Sequence, residues 1–283
     1  MTWILLVLLY GILKGVREVI KKKSLQGSTV MEVLVVYTLL AFLMVLPDAG
    51  NATGVEPVFL FWIAVKSFLI FLAWICSFVA IDRMPISFYG ILDLSRVLFA
   101  TLLGTIVLGE ILGLPQIVGL TFVSAGLILL NGARRLPLAK TEKIETRYVV
   151  IAVFSCILNA FSGLMDKILM RSVTSSQLQF WYMLFLVLFY VGYILITKTK
   201  IRWVQTFKNH WIWILSLLFI IADRALFMAN GMEESRVTVM TLIKQSGSLV
   251  TILAGKFIFK EKNIRYKLIC AGVIITGIVV AVM

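Results

Sequence analysis

The apolar residues of this chain are gathered into ten blocks of about twenty, the length of helix that crosses a bilayer. The blocks run over residues 3–20, 30–46, 58–80, 86–107, 114–131, 148–170, 177–197, 211–230, 237–258 and 266–282. Hydrocarbon offers backbone groups no water to bond, so blocks of this length and spacing predict helices rather than open strands. Charged residues are only 14% of the chain, against about a quarter in a soluble domain. Little sequence lies between the blocks, so no appended soluble domain is expected. The first block holds Lys14, Arg17 and Glu18 and lacks a basic stretch before it or a small-x-small cleavage site. It reads as a true first span, not a cleavable leader.

Two segments spell one motif. Gly104-Thr105-Ile106-Val107-Leu108-Gly109-Glu110 is answered by Gly255-Lys256-Phe257-Ile258-Phe259-Lys260-Glu261, and Glu110 and Glu261 stand 151 positions apart. The same offset relates Ser95 to Ser246, Gly126 to Gly277 and Trp62 to Trp213. A polar stretch from Asn131 to Arg147, holding Pro137, divides the blocks five and five. Five is odd, so a second copy must enter the membrane in the opposite sense. The expected fold is an all-α polytopic membrane protein of ten transmembrane helices, arranged as two inverted five-helix repeats. Residues 1–132 form the first repeat, 133–147 a polar linker and 148–283 the second repeat. Such duplication is a common construction of transporters.

The net charge of +13 follows the loops. Alternate connections hold seventeen Lys and Arg, among them Lys21–Lys23, Arg134, Arg135 and Lys260; the others hold Arg171 and Arg236. The positive-inside rule places the basic side in the cytoplasm and both termini outside, in a bacterial-type plasma membrane. The excess thus marks topology and contact with membrane lipid, and argues against nucleic acid as a partner. Cys76, Cys156 and Cys270 lie inside apolar blocks, and His210 sits at a block boundary beside Trp211. No metal site follows from that spacing, and no cofactor is called for.

Five charges fall near mid-span: Asp93, Arg96, Asp223, Arg224 and Lys244. Facing lipid they would cost about 2.5–3.5 kcal/mol each, so they must face a protein interior or a water-filled cavity. Asp93 and Lys244 occupy equivalent positions in the two repeats, and a salt bridge between them in one access state is expected. Glu18 and Lys167 lie near span ends, where they can reach the interface. Glu18 follows Gly15 at the same spacing as Asp166 follows Gly163, with Arg17 and Lys167 beside them, and a small residue one turn before a charge lets helices approach closely. Trp3, Trp62, Trp211 and Trp213 sit at block ends as an interfacial belt; Trp74 and Tyr89 lie nearer the charges and are candidate cavity-lining residues. The bland alternative is a set of static ion pairs that fix helix register.

These features resemble the EamA-type transporters of the drug/metabolite transporter superfamily. The resemblance covers nearly the whole chain. Its most specific segments are Gly163-Leu164-Met165-Asp166-Lys167, Ile221-Ala222-Asp223 with Phe227, and Gly255 to Asn263. It implies a ten-helix basket with a central cavity, alternating access, and export or exchange of small metabolites. Members of that superfamily usually keep both termini in the cytoplasm, unlike the orientation read from the charges here.

The expected function is secondary transport of a small polar metabolite, an amino acid or organic anion. Arg96, Arg224 and Lys244, with Trp74 and Tyr89, are the candidate substrate contacts. Asp93, Asp223, Arg17, Glu18 and Asp166 are candidates for coupling or charge pairing, with a proton or counter-substrate as the coupled species. Glu110 and Glu261 mark the repeat. The alternatives are a cationic-drug exporter, which would need an unpaired acid, and a flippase for a lipid-linked substrate. A membrane-embedded enzyme would need His, Cys or paired-acid motifs that are missing here, so the chain is not expected to be an enzyme. A scaffold is the remaining class. Monomer and homodimer are both compatible with the sequence.

Overall fold

The structure, a computed structural model, describes residues 2–133, 144–261 and 264–282. Most of the polar linker, with Arg134, Arg135, Pro137, Lys140 and Lys143, lies outside the described residues, as do Lys262 and Asn263 of the second motif. Every apolar block falls on helix. The helices are α1 (Thr2–Ser24), α2 (Val30–Val45), α3 (Pro57–Arg83), α4 (Ile86–Leu92), α5 (Arg96–Leu108), α6 (Leu114–Ala133), α7 (Thr146–Leu169), α8 (Ser175–Thr197), α9 (Trp203–Phe207), α10 (His210–Asn230), α11 (Val237–Lys244), α12 (Gly247–Phe257) and α13 (Ile264–Val282). Six stretches are long and apolar enough to cross a membrane: 30–52, 57–83, 86–108, 146–169, 175–197 and 210–230.

Local chemistry sets the boundaries, and often does so twice. Thr29 and Thr174 open α2 and α8 with reciprocal capping boxes. Each threonine hydroxyl accepts the N–H of the residue three on, Glu32 at 3.3 Å and Gln177 at 3.2 Å. Those side chains accept the threonine N–H in return, at 2.8 and 2.9 Å. At the two motifs, Gly109 and Lys260 take left-handed backbone, φ 67° and 51°. The following N–H then turns back to the chain: Glu110 donates to Gly104 O at 3.1 Å and Glu261 to Gly255 O at 2.9 Å. Two stretches are interrupted at matching places. A 3-10 turn over Asp93–Ser95 separates α4 from α5, and a turn at Gln245–Ser246 separates α11 from α12.

Packing runs between the halves of the chain, reciprocally. Helix α1 lies along α10 while α7 lies along α3; α1 crosses α11 and α12 while α7 crosses α5; α4 meets α12, α5 meets α11, and α6 pairs with α13. Backbone meets backbone where α1 crosses α12. A Cβ on Gly247 would lie 2.9 Å from Gly15 N and closer still to Gly11 O. Gly247→Val is therefore expected to force α1 off α12 and cost at least about 1–3 kcal/mol. A lowered unfolding midpoint in detergent checks it. Gly163, the counterpart expected to serve the same purpose in α7, has nothing within 4 Å and opens onto a cavity instead.

Candidate functional site

Helix α1 carries Lys14, Arg17, Glu18 and Lys21, spaced i, i+3, i+4 and i+7, so all four project from one face. That face turns inward. It lines a cavity of about 80 Å³ with Lys66, Trp74, Arg96, Asp166, Asp223 and Lys244, contributed by α3, α5, α7, α10 and α11. The volume holds a handful of waters, so a metabolite can be admitted only if the helices part.

The buried charges form a chain of ion pairs. Asp93, at the break between α4 and α5, accepts from Lys14 Nζ at 2.5 Å and from Arg96 Nη2 at 2.7 Å. Arg17 Nη1 lies 3.4 Å from Asp223 Oδ1, with its guanidinium 4.9 Å from the Phe219 ring centre. Lys66 Nζ lies 3.1 Å from Asp166 Oδ1 and 3.5 Å from the centre of the Tyr182 ring. Lys21 Nζ donates to Glu18 at 2.8 Å and to Ser77 Oγ at 3.3 Å. An aromatic wall closes one side, with Trp74 5.2 Å from Tyr37 and 5.0 Å from Phe219 between ring centres.

Several expectations are corrected by this geometry. In this conformation Asp93 pairs with Lys14 and Arg96, so it is not the access state in which Asp93 would meet Lys244. Lys244 lines the same cavity but makes no ion pair among the described residues, and its Nζ lies 5.7 Å from the centre of the Tyr10 ring. Arg224 does not line the cavity. Successive residues on a helix point about 100° apart, so with Asp223 inward, Arg224 turns to the rim, where it binds Asp48 and donates to Ser176 Oγ at 2.8 Å. Tyr89 stands behind the cavity wall, its hydroxyl 2.7 Å from Ser77 Oγ. Glu18 and Lys167 are both buried: Glu18 holds Lys21, and Lys167 donates to Asn230 O, Met232 O and Ser235 Oγ at the end of α10 and the turn after it. Trp74, Arg96, Arg17, Glu18, Asp166 and Asp223 line this cavity. Lys14, Lys21 and Lys66 were missed as site residues; the one-face spacing on α1 was the available signal for the first two.

Away from the cavity, Glu261 reaches across to the start of α4. Its carboxylate accepts Ile86 N–H at 2.6 Å, Ser87 N–H at 3.3 Å and the Ser87 hydroxyl, and lies 3.4 Å from Lys267 Nζ. Glu261→Gln weakens these charge-assisted bonds and is expected to cost about 1–3 kcal/mol. A lower unfolding midpoint, with Glu261→Ala at least as low, checks this. Glu110 heads the matching turn in the first half.

A sequence model described as the EamA-like transporter family matches residues 1–132 and 146–283, nearly the whole chain. The chain belongs to the EamA-like transporter family. It is therefore an integral membrane protein of a transporter family. Its fold is also that of a solved chain titled "Crystal structure of protein", with a TM-score of 0.67 over 99% of this chain and 95% of that one, at 15% identity. No curated protein matches it closely enough to count as a relative. Within this EamA-like protein the family match spans every residue of the ion-pair chain.

Proposed function

We propose that this EamA-like protein is a secondary transporter, an exporter or exchanger, that carries a small polar metabolite by alternating access through the charged cavity. The leaning is to an amino acid or organic anion. The observation that carries this reading is where the ion pairs lie. Arg17–Asp223 joins α1 to α10 and Lys66–Asp166 joins α3 to α7, so both span the two halves of the chain around one cavity.

The matched capping boxes, left-handed turns, broken helices and reciprocal packing support ten spans in two inverted five-helix halves, residues 1–132 and 148–283. A site at the junction of such halves is where substrate binds in transporters of this construction. Breaking a buried pair by stranding one partner costs about 3–5 kcal/mol. Parting the halves therefore needs water or the charges of a substrate to replace what each pair loses. That couples substrate occupancy to the conformational change. The loop charges support an orientation with the basic face in the cytoplasm and both termini outside the plasma membrane. Asp223 is held by Arg17 and Asp166 by Lys66, which disfavours the unpaired acid a cationic-drug exporter requires.

The test is counterflow in proteoliposomes with labelled amino acids, organic acids and phosphorylated metabolites. Saturable flux that is lost in Arg17→Gln is the expected result. Flux of no solute in any class, from protein that is folded and oriented in the bilayer, would overturn the reading.

A further inference from the structure

The cavity is not electrically balanced. Arg17, Lys66 and Lys21 each have their own carboxylate. Asp93 alone serves both Lys14 and Arg96, which leaves one positive charge over. Lys244 adds a second, since it makes no ion pair among the described residues. These two surplus charges are neighbours: Lys14, Arg96 and Lys244 line one cavity, where Lys244 feels the Asp166 carboxylate, already paired with Lys66, as well as Arg96 and Lys14. Arg96 and Lys244 also flank matching breaks, Asp93–Ser95 in one half and Gln245–Ser246 in the other. A second observation points to the same place. The Nε of Arg96 is buried and has no hydrogen-bond partner among the described residues, a donor left for something else to accept. Beside it, Ala100 of α5 and Ala160 and Gly163 of α7 keep the wall free of large side chains.

We infer that the substrate is a small dianion whose two negative charges are met by Arg96 with Lys14 on one side and Lys244 on the other, so that loading neutralises the cavity. The inference rests on the transport reading above and narrows its substrate class. A zwitterion would leave both surplus charges uncompensated, and a monoanion would leave one, with only a handful of waters to screen them. The shared chemistry is two negative charges on a compact polar molecule; a phosphate monoester and a dicarboxylate both provide it. Arg96 suits either, since its guanidinium bonds carboxylate and phosphate oxygens in the same planar fashion.

The experiment measures ligand-induced thermal stabilisation of the whole protein in detergent, with proteoliposome flux in parallel. The probes are glycerol 3-phosphate, malate, lactate and alanine. Stabilisation by glycerol 3-phosphate or malate, and not by alanine, is expected, and which of the two acts identifies the source of the charge. Lys244→Gln should weaken that affinity at least tenfold, while Lys244→Arg stays within about threefold of the parent. Because Lys244 holds no carboxylate, the ligand-free unfolding midpoint should change little in either variant, which separates lost binding from lost folding. Binding and flux of alanine or lactate alone, unchanged in Lys244→Gln, would overturn the dianion and leave the transport reading standing. Binding and flux of nothing in any class would overturn both.

Discussion

Asp93→Asn is expected to lower stability by about 3–5 kcal/mol and to abolish transport. One carboxylate holds two cations, Lys14 at 2.5 Å and Arg96 at 2.7 Å, and all three side chains are largely removed from water. Asparagine keeps the shape and some of the hydrogen bonding but none of the charge, so two cations face each other in the break between α4 and α5. Adding Lys14→Met should restore part of the lost stability, because one of the stranded charges is gone, but it should not restore flux. Denaturation of the parent, the two single variants and the double variant forms a thermodynamic cycle. Additive single effects would show that Lys14 and Asp93 are not coupled and that the arrangement described here is wrong.

The second large effect is at Lys66, which is 2% exposed and lies against Tyr182. Lys66→Met strands Asp166 and should cost about 3–5 kcal/mol, as should Asp166→Leu in the opposite sense. The two together should return stability to near the parent, since a buried pair replaced by apolar residues of similar size is often neutral or stabilising. Transport should remain lost in the double variant if the pair serves the conformational cycle. A double variant that transports as well as the parent would reduce this pair to a packing device.

Much of the fold was legible in the sequence for a physical reason. A bilayer-length apolar block has few alternatives to helix, so each block, from 3–20 to 266–282, lies on helix at nearly its expected limits. The motif at Glu110 and Glu261 likewise predicted one local structure twice, and both copies make the same left-handed turn. The site was only partly legible. A charge inside a span signals a protein-facing position but not which neighbour it meets. That is why Asp93 was matched to its repeat equivalent, Lys244, when the residue that reaches it is Lys14. It is also why Arg224 was read as central: the sequence cannot say how α10 is rotated, and the rotation it takes turns Asp223 to the cavity and Arg224 to Asp48 and Ser176. Lys66 was not among the mid-span candidates although it lies as near the centre of its block as Asp93 does, and it is buried at 2% exposure.

The central claim is that the cavity opens to one side of the membrane and then the other. Ala100 lines it and is buried, and its small side chain leaves room for cysteine. Ala100→Cys, in a chain with Cys76, Cys156 and Cys270 replaced, would be probed in proteoliposomes with a membrane-impermeant thiol reagent supplied from outside or sealed within. The account predicts reaction from either side, with the rate on one side falling as the other rises when a transported solute is placed in gradient, and protection from both sides by saturating solute. Reaction from one side only under every condition, or from neither, would contradict it.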